Sequence, residues 1–150
     1  MTETFFVSDA FLAPQEETAT ATIEEIEAEL AMFDDWMERY QYIIEMGRKL
    51  PAFPSDWQDD VHRVPGCQSQ VWLEAEDRDG KLFFAGASDA AIVQGLVALL
   101  LRVYSGRSRE EILQTSPVFL HDMGLVKALS TNRGNGVEAM AQAILKRAAA

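Results

Sequence analysis

Val64-Pro65-Gly66-Cys67-Gln68-Ser69-Gln70-Val71-Trp72-Leu73 holds the only cysteine in the 150-residue chain. Pro65 fixes its backbone near the extended value, and Gly66 can take φ angles closed to other residues. A Pro-Gly pair marks a turn. Beyond it the residues alternate: Val71, Leu73 and Ala75 point one way, and Gln70, Trp72 and Glu74 the other. That is the pattern of a half-buried strand. Cys67 is therefore expected at the tip of a tight turn feeding a strand, where a small change of loop conformation shows the thiol or tucks it against the core. A lone cysteine also behaves, in many proteins, as a small buried hydrophobe without chemistry. The polar neighbours Gln68, Ser69 and Gln70 favour a functional reading.

Outward from this turn the chain reads as an α+β protein, a three-stranded antiparallel sheet with helices packed against it. Asp60 to Val64 is expected as a first short strand entering the turn. The strand after the turn runs to about Asp77. Asp79-Gly80 is a hairpin dipeptide, and Lys81 to Ala87 follows as the third strand. Ser88 is a candidate N-cap with Asp89 in the first helical turn. Apolar residues then surround most of the helix from Ala90 to Tyr104, so that helix should be the buried one.

Before the turn, Thr22 and Glu25 have capping-box spacing, and Ile23, Ile26, Leu30 and Phe33 form a helical stripe. Asp34 and Asp35 precede a second helix with its stripe at Trp36, Tyr40, Ile43, Ile44, Gly47 and Leu50, ended by Pro51. After the buried helix, Ser108 with Glu111 repeats the capping pattern. Pro117 to Leu129 reads as short helical pieces broken at Gly124. Ser130 to Gly136 reads as a polar loop before a last helix marked by Val137, Met140, Ala141, Ile144 and Leu145. Residues 1–21 show no sustained period and are expected to be a loose N-terminal extension or a short docked helix, with residues 22–150 as a single domain.

Composition bounds the function. The chain is 48% hydrophobic, enough for a real core, and its net charge of −11 argues against a nucleic-acid partner. Residues 1–60 carry 15 acids and 3 bases, while residues 61–150 are nearly neutral. This acidic front is either a solvated helical face or a surface that steers a basic partner. One cysteine forms no internal disulfide, and no signal sequence is evident, so a cytoplasmic location is expected. The most apolar stretch, Ala90 to Leu101, is too short to span a bilayer, and no membrane association is expected.

The chemistry available is narrow. Cys67, His62 and His121 are too few for a structural zinc site, and no metal or other cofactor is expected. No glycine loop has the spacing and lysine of a phosphate cradle. A Cys–His–Asp hydrolase would need His62 or His121 beside Cys67. What remains is thiol exchange, which needs one nucleophilic sulfur and access to it. Backbone N–H groups after Cys67 and a nearby cation would support a thiolate, with Arg63 and Arg133 as candidates. Either arginine also reads as an ordinary surface or loop-fixing residue.

Gly66-Cys67-Gln68-Ser69-Gln70-Val71-Trp72 resembles the signature of the SufE family, the sulfur acceptors of iron–sulfur cluster assembly. Three further blocks resemble that family in its order. They are Tyr40 to Gly47 with Leu50-Pro51, Ser88 to Leu96, and Arg133 to Gly136 followed by Val137-Glu138-Ala139-Met140. The resemblance covers roughly residues 34 to 148. It implies an α+β fold shared with cluster scaffolds, although the several metal-binding cysteines of those scaffolds are missing here. It implies that Cys67 accepts sulfur from a pyridoxal-phosphate cysteine desulfurase of the SufS type, stimulates it, and passes the sulfur to an assembly scaffold of the SufBCD type. The pyridoxal phosphate belongs to the partner. Arg133 falls on a matching arginine, and Gly66, Gln68 and Ser69 fall within the signature. A single-cysteine redox sensor and a non-catalytic adaptor remain the rival readings.

Overall fold

The computed structural model describes residues 10–150 except Gln68, Leu129 and Ser130; the side chains of residues 127, 128 and 131–135 also lie outside the description. In chain order the elements are α1 (Ala19–Ala31), α2 (Trp36–Arg48), a 3-10 turn (Ser55–Trp57), β1 (Val71–Arg78) and β2 (Lys81–Ser88). They continue with α3 (Ala91–Tyr104), β3 (Arg107–Ser108), α4 (Arg109–Gln114), α5 (Phe119–Asp122), α6 (Leu125–Ala128) and α7 (Thr131–Ala149). The sheet is antiparallel in the order β1-β2-β3. The expected α+β architecture is therefore present.

One strand of the three differs from expectation. Asp60 to Val64 is not a strand: it touches β1 through a single bridge, Arg63 opposite Trp72. The side chain of Asp59 accepts the backbone N–H of His62 and coils the chain there. Pro65 has no N–H to continue a ladder. The third strand is Arg107–Ser108, paired with Lys81 and Leu82. Two residues are too few to show alternation. Arg107 is 2% exposed, a position hydropathy would refuse it. Its guanidinium is satisfied by the carbonyls of Val103, Glu16 and Arg102 and by the Thr22 hydroxyl.

Several caps also move. Thr18, not Thr22, caps α1. Thr22 is buried inside the helix; its hydroxyl donates to the Thr18 carbonyl and accepts from Arg107. Asp35 caps α2 and Ser108 caps α4. The Glu111 carboxylate does not fold back on its own helix but accepts from the Ala19 N–H at 2.7 Å, a cap supplied across the tertiary structure. Ala90 is the N-cap of α3. Ser88, expected to cap it, and Asp89, expected in its first turn, bind the backbone of Gln70. The last helix begins at Thr131, so the expected loop at Ser130 to Gly136 is helical from residue 131. Asparagine and glycine lower local helix propensity there. The burial of Val137, Met140, Ala141 and Ile144 outweighs that cost.

The hairpin follows its dipeptide. Asp79 and Gly80 both have positive φ, 54° and 86°, as a two-residue primed turn requires. Residues 10–18, within the stretch assigned to the N-terminal extension, pack on the domain. Ala10 and Phe11 are buried, Leu12 donates its N–H to the Phe84 carbonyl, and Glu16 pairs with the nearly buried Arg102. Arg102 also pairs with Glu29, so two carboxylates neutralise one charge at the core boundary.

α3 is the centre of the core. From Gly95 to Tyr104 each of its residues is buried, and it packs on the sheet and on α2. The approach to α2 is closer than side chains permit. A Cβ on Gly95 would stand 2.3 Å from the Ile43 carbonyl oxygen, and one on Gly47 would stand 2.6 Å from the Gly95 nitrogen. Gly95→Ala improves intrinsic helix propensity by about 1 kcal/mol. The clash is with backbone, however, and overpacking of this kind costs about 1–3 kcal/mol or more. Gly95→Ala is therefore expected to lower the urea midpoint, and a midpoint at or above wild type would show that the helices separate without strain.

Candidate functional site

The segment bearing Cys67 leaves the edge of β1 and returns to it, and both ends are fastened. On the incoming side, Val64 donates to the Val71 carbonyl at 2.8 Å and Leu73 to the His62 carbonyl at 2.9 Å. On the outgoing side, the backbone of Gln70 is held by Ser88 and Asp89, the residues expected at the start of α3. The Asp89 carboxylate accepts the Gln70 N–H at 3.1 Å, and the Ser88 hydroxyl donates to the Gln70 carbonyl at 2.8 Å. Ser88 is itself fixed through its N–H, which donates to the Gln94 side chain of α3. Between these anchors the chain makes the Pro65-Gly66 turn, with Gly66 at φ +87°. The expected turn is present, and its glycine takes the conformation that L side chains rarely adopt.

The thiol is tucked in. Cys67 is half-buried and packs against the main core. Its S–H donates to the Gly136 carbonyl of α7 at 3.6 Å. A Cβ added to Gly136 would lie 3.8 Å from Sγ, and one added to Gly66 would lie 3.4 Å from the Ala139 methyl. The first turns of α7 thus form one wall of the seat, in van der Waals contact with the loop. Burial pushes the Cys67 thiol above its ordinary value, and the charge of Arg63 pulls it partly back. At neutral pH the resting sulfur is a thiol.

Of the other candidate site residues, Arg63 is exposed beside the turn and acts on Cys67 through its field. Gly66 is exposed and Ser69 half-buried. Gln68 lies outside the described residues. Arg133 belongs to α7, one turn before Gly136, and its side chain lies outside the description. His62 does not meet Cys67: its Nδ1 is 2.7 Å from Asp59 and its Nε2 is 2.9 Å from Glu74. It is partly buried and lies outside any strand, unlike the strand expected over Asp60 to Val64. His121 sits at the end of α5 and pairs with Glu138 at 3.0 Å. Neither histidine is placed as a base for the thiol, which removes the hydrolase arrangement. Among the described residues, no group of three or more His, Cys, Asp or Glu is arranged to hold a metal ion. No helix among them is long and apolar enough to cross a membrane.

Sequence reasoning missed the thiol acceptor Gly136 and the anchors Ser88 and Asp89. A backbone carbonyl leaves no side-chain signal. Ser88 and Asp89 do carry one, but serine and aspartate before an apolar helix read equally as caps.

The family profile described as "SufE: Fe-S metabolism associated domain" matches residues 24–148. An uncharacterized SufE-like protein of Rhizobium meliloti is 37% identical over 132 residues, covering 85% of this chain and 94% of that protein. The sulfur acceptor protein CsdE of Escherichia coli is 34% identical over 128 residues, covering 84% of this chain and 87% of its own. In fold, the solution structure of a hypothetical protein from Thermus thermophilus superposes with a TM-score of 0.68 at 22% identity, over 87% of this chain and 93% of that one.

A half-buried, hydrogen-bonded thiol reacts slowly with small electrophiles, because rate follows thiolate fraction and access. Cys67 in the free protein is expected to be alkylated by iodoacetamide more slowly than a cysteine in an unstructured peptide. Pro65→Gly, which loosens the turn without touching the seat, is expected to speed it. Equal rates for protein and peptide would show that the seat gives no protection.

Proposed function

The chain belongs to the SufE family, and from that membership we propose that it is a sulfur acceptor and carrier working with a cysteine desulfurase. The observation that carries the reading is the placement of the sole thiol: on a turn hinged at Gly66, sheltered on α7, with both ends of its loop fastened. The Cys67 thiolate attacks the outer sulfur of the desulfurase's persulfide. A new S–S bond forms at Cys67, the donor's S–S bond breaks, and the donor cysteine leaves as a thiolate. The Cys67 proton passes to solvent, and no external oxidant or reductant is consumed. Cys67 then holds a persulfide and delivers its outer sulfur to an iron–sulfur assembly scaffold of the SufBCD type, by the same exchange in reverse.

The shelter has a use in this scheme. An exposed persulfide would be attacked by any small thiol in a reducing cytoplasm. In the seat beside Gly136 the sulfur is partly covered. Docking to the desulfurase swings the turn outward, with Gly66 absorbing the backbone change. The protein also stimulates the desulfurase, because removing the sulfur regenerates the donor thiolate for another turnover. The supporting residues are Gly66 as hinge, the N–H groups following Cys67 at Gln68 and Ser69, and Arg63 or Arg133 as the cation that steadies the thiolate. The raised thiol disfavours a redox sensor, which works best with an exposed, low-pKa thiolate.

Incubation with a SufS-type desulfurase and cysteine, followed by intact-mass measurement, is expected to add the mass of one sulfur atom at Cys67. Cys67→Ser should accept none and keep its fold, since the swap is nearly isosteric and hydroxyl is a far poorer nucleophile. A serine variant that stimulates the desulfurase fully would overturn the carrier reading in favour of an adaptor. Arg133→Ala is expected to slow transfer more than it lowers the melting temperature; a loss of melting temperature with a normal transfer rate would leave Arg133 only a structural part.

A further inference from the structure

The arm from Trp57 to Val64 delivers the chain to the Cys67 turn, yet its backbone meets β1 at a single bridge. Apolar packing adds Val64 in the main core and Trp57 against Phe11 and Phe53, and His62 supplies the polar side-chain link from the arm to β1. The His62 side chain is only 15% exposed. Its ring stacks on Trp57, with centroids 5.7 Å apart and planes inclined at 22°. Nδ1 meets Oδ1 of Asp59 within the arm, and Nε2 crosses to Oε2 of Glu74 on β1 at 2.9 Å. The other Glu74 oxygen accepts the Ala75 N–H at 2.8 Å and Arg147 of α7 at 3.3 Å. His62 therefore connects the arm, the strand and, through Glu74, the same helix that seats the thiol.

Two carboxylates on two ring nitrogens demand two N–H donors, and only the imidazolium has both. We propose that His62 is a positioning residue for Cys67: as an imidazolium bridging Asp59 and Glu74 it fastens the arm to β1 and keeps the thiol in its seat on α7, and loss of its proton loosens the arm and frees the sulfur. Its bearing on sulfur transfer rests on the carrier reading above; the clamp itself does not.

The charges facing the ring are Asp59 from the arm and Glu74 from β1, with Arg147 from α7 acting on Glu74; Trp57 contributes no charge. Burial alone would pull His62 down, but the two carboxylates outweigh it and the group sits above its ordinary value. Asp59 lies below its ordinary value, chiefly through the His62 hydrogen bond. Glu74 also lies below, because the Ala75 N–H and His62 together outweigh its burial. A raised histidine contributes fully below its unfolded value, about 6.5, and that contribution is lost as pH rises through the folded value. The lowered carboxylates contribute above about pH 4 and lose their share as pH falls through their folded values. The clamp is closed between these limits and opens on the alkaline side when His62 deprotonates.

The test follows alkylation of Cys67 by iodoacetamide in the full chain between about pH 5.5 and 9. Each rate is divided by the thiolate fraction from the ultraviolet titration of the thiol, and His62 is titrated in parallel by NMR. The corrected wild-type rate is expected to rise roughly five-fold, the worth of one ordinary hydrogen bond, with a midpoint matching that of His62. His62→Gln should show the released rate at low pH with no step. Glu74→Gln should move the step and the His62 midpoint together to lower pH, which a merely structural role would not do. A flat wild-type profile, or a step that stays in place in Glu74→Gln, overturns the proposal. So does a wild-type rate in a folded His62→Gln; if that variant does not fold, Glu74→Gln decides. Sulfur acceptance measured on the same wild-type sample separates the two readings. A flat profile with normal acceptance sinks the clamp alone, and a pH step without acceptance sinks the carrier alone.

Discussion

The contact of α2 with α3 at Gly47 and Gly95 is the constraint from which the rest of the structure follows. Two helices can approach with backbone against backbone only where neither carries a Cβ. The contact places Gln94 beside Gly47, where its side-chain N–H donates to the Gly47 carbonyl at 3.3 Å while its oxygen accepts from Ser88. Ser88 in turn holds Gln70, and Gln70 is the outgoing end of the Cys67 loop. The position of the thiol is thus tied to a helix–helix contact through one glutamine and one serine. On the other face of α3 the same economy of space recurs: a Cβ on Gly86 of β2 would stand 2.8 Å from Val97.

The loop that this frame supports combines firm ends with a yielding middle. Its incoming arm is fastened to β1 by His62 and its outgoing end by Asp89 and Ser88, and among the described residues the sulfur of the turn between has one polar contact, to Gly136. Anchored ends keep the cost of reordering the loop after each excursion small, since few residues must change conformation. A single weak S–H bond and partial burial hold the resting thiol without locking it. The proposed carrier role needs that balance, because such a protein must protect its sulfur between partners and surrender it within a complex.

Charge is distributed to the same end. The buried arginines 102 and 107 are spent on structure, tying residues 16, 22 and 29 to α3 and the β3 turn. Arg63, by contrast, stays exposed beside the turn and acts on the thiol. Breaking one partner from a buried pair leaves an uncompensated charge and is costly, so these buried arginines fix the packing of residues 10–18 on the domain.

The sequence alone determined the fold class, the hairpin, the turn at Pro65-Gly66 and the candidate for the reactive residue. Each rests on a local cause: the Val71 to Ala75 pattern marked the strand, although Trp72 is buried as well as Val71 and Leu73 and the strand is not half-buried there; the others rest on the Asp79-Gly80 dipeptide, apolar residues around α3, and a single sulfur in the chain. The motif blocks carried the family as well. Only the tertiary structure decided which short segment became the third strand, where α7 begins, what seats the thiol and what His62 does. Those outcomes depend on partners distant in sequence: Lys81 and Leu82 for β3, the core for the start of α7, the Gly136 carbonyl for Cys67, and Glu74 for His62. A two-residue strand has no period to read, a carbonyl has no residue type, and a serine or aspartate before a helix satisfies a neighbouring strand as readily as a helix end.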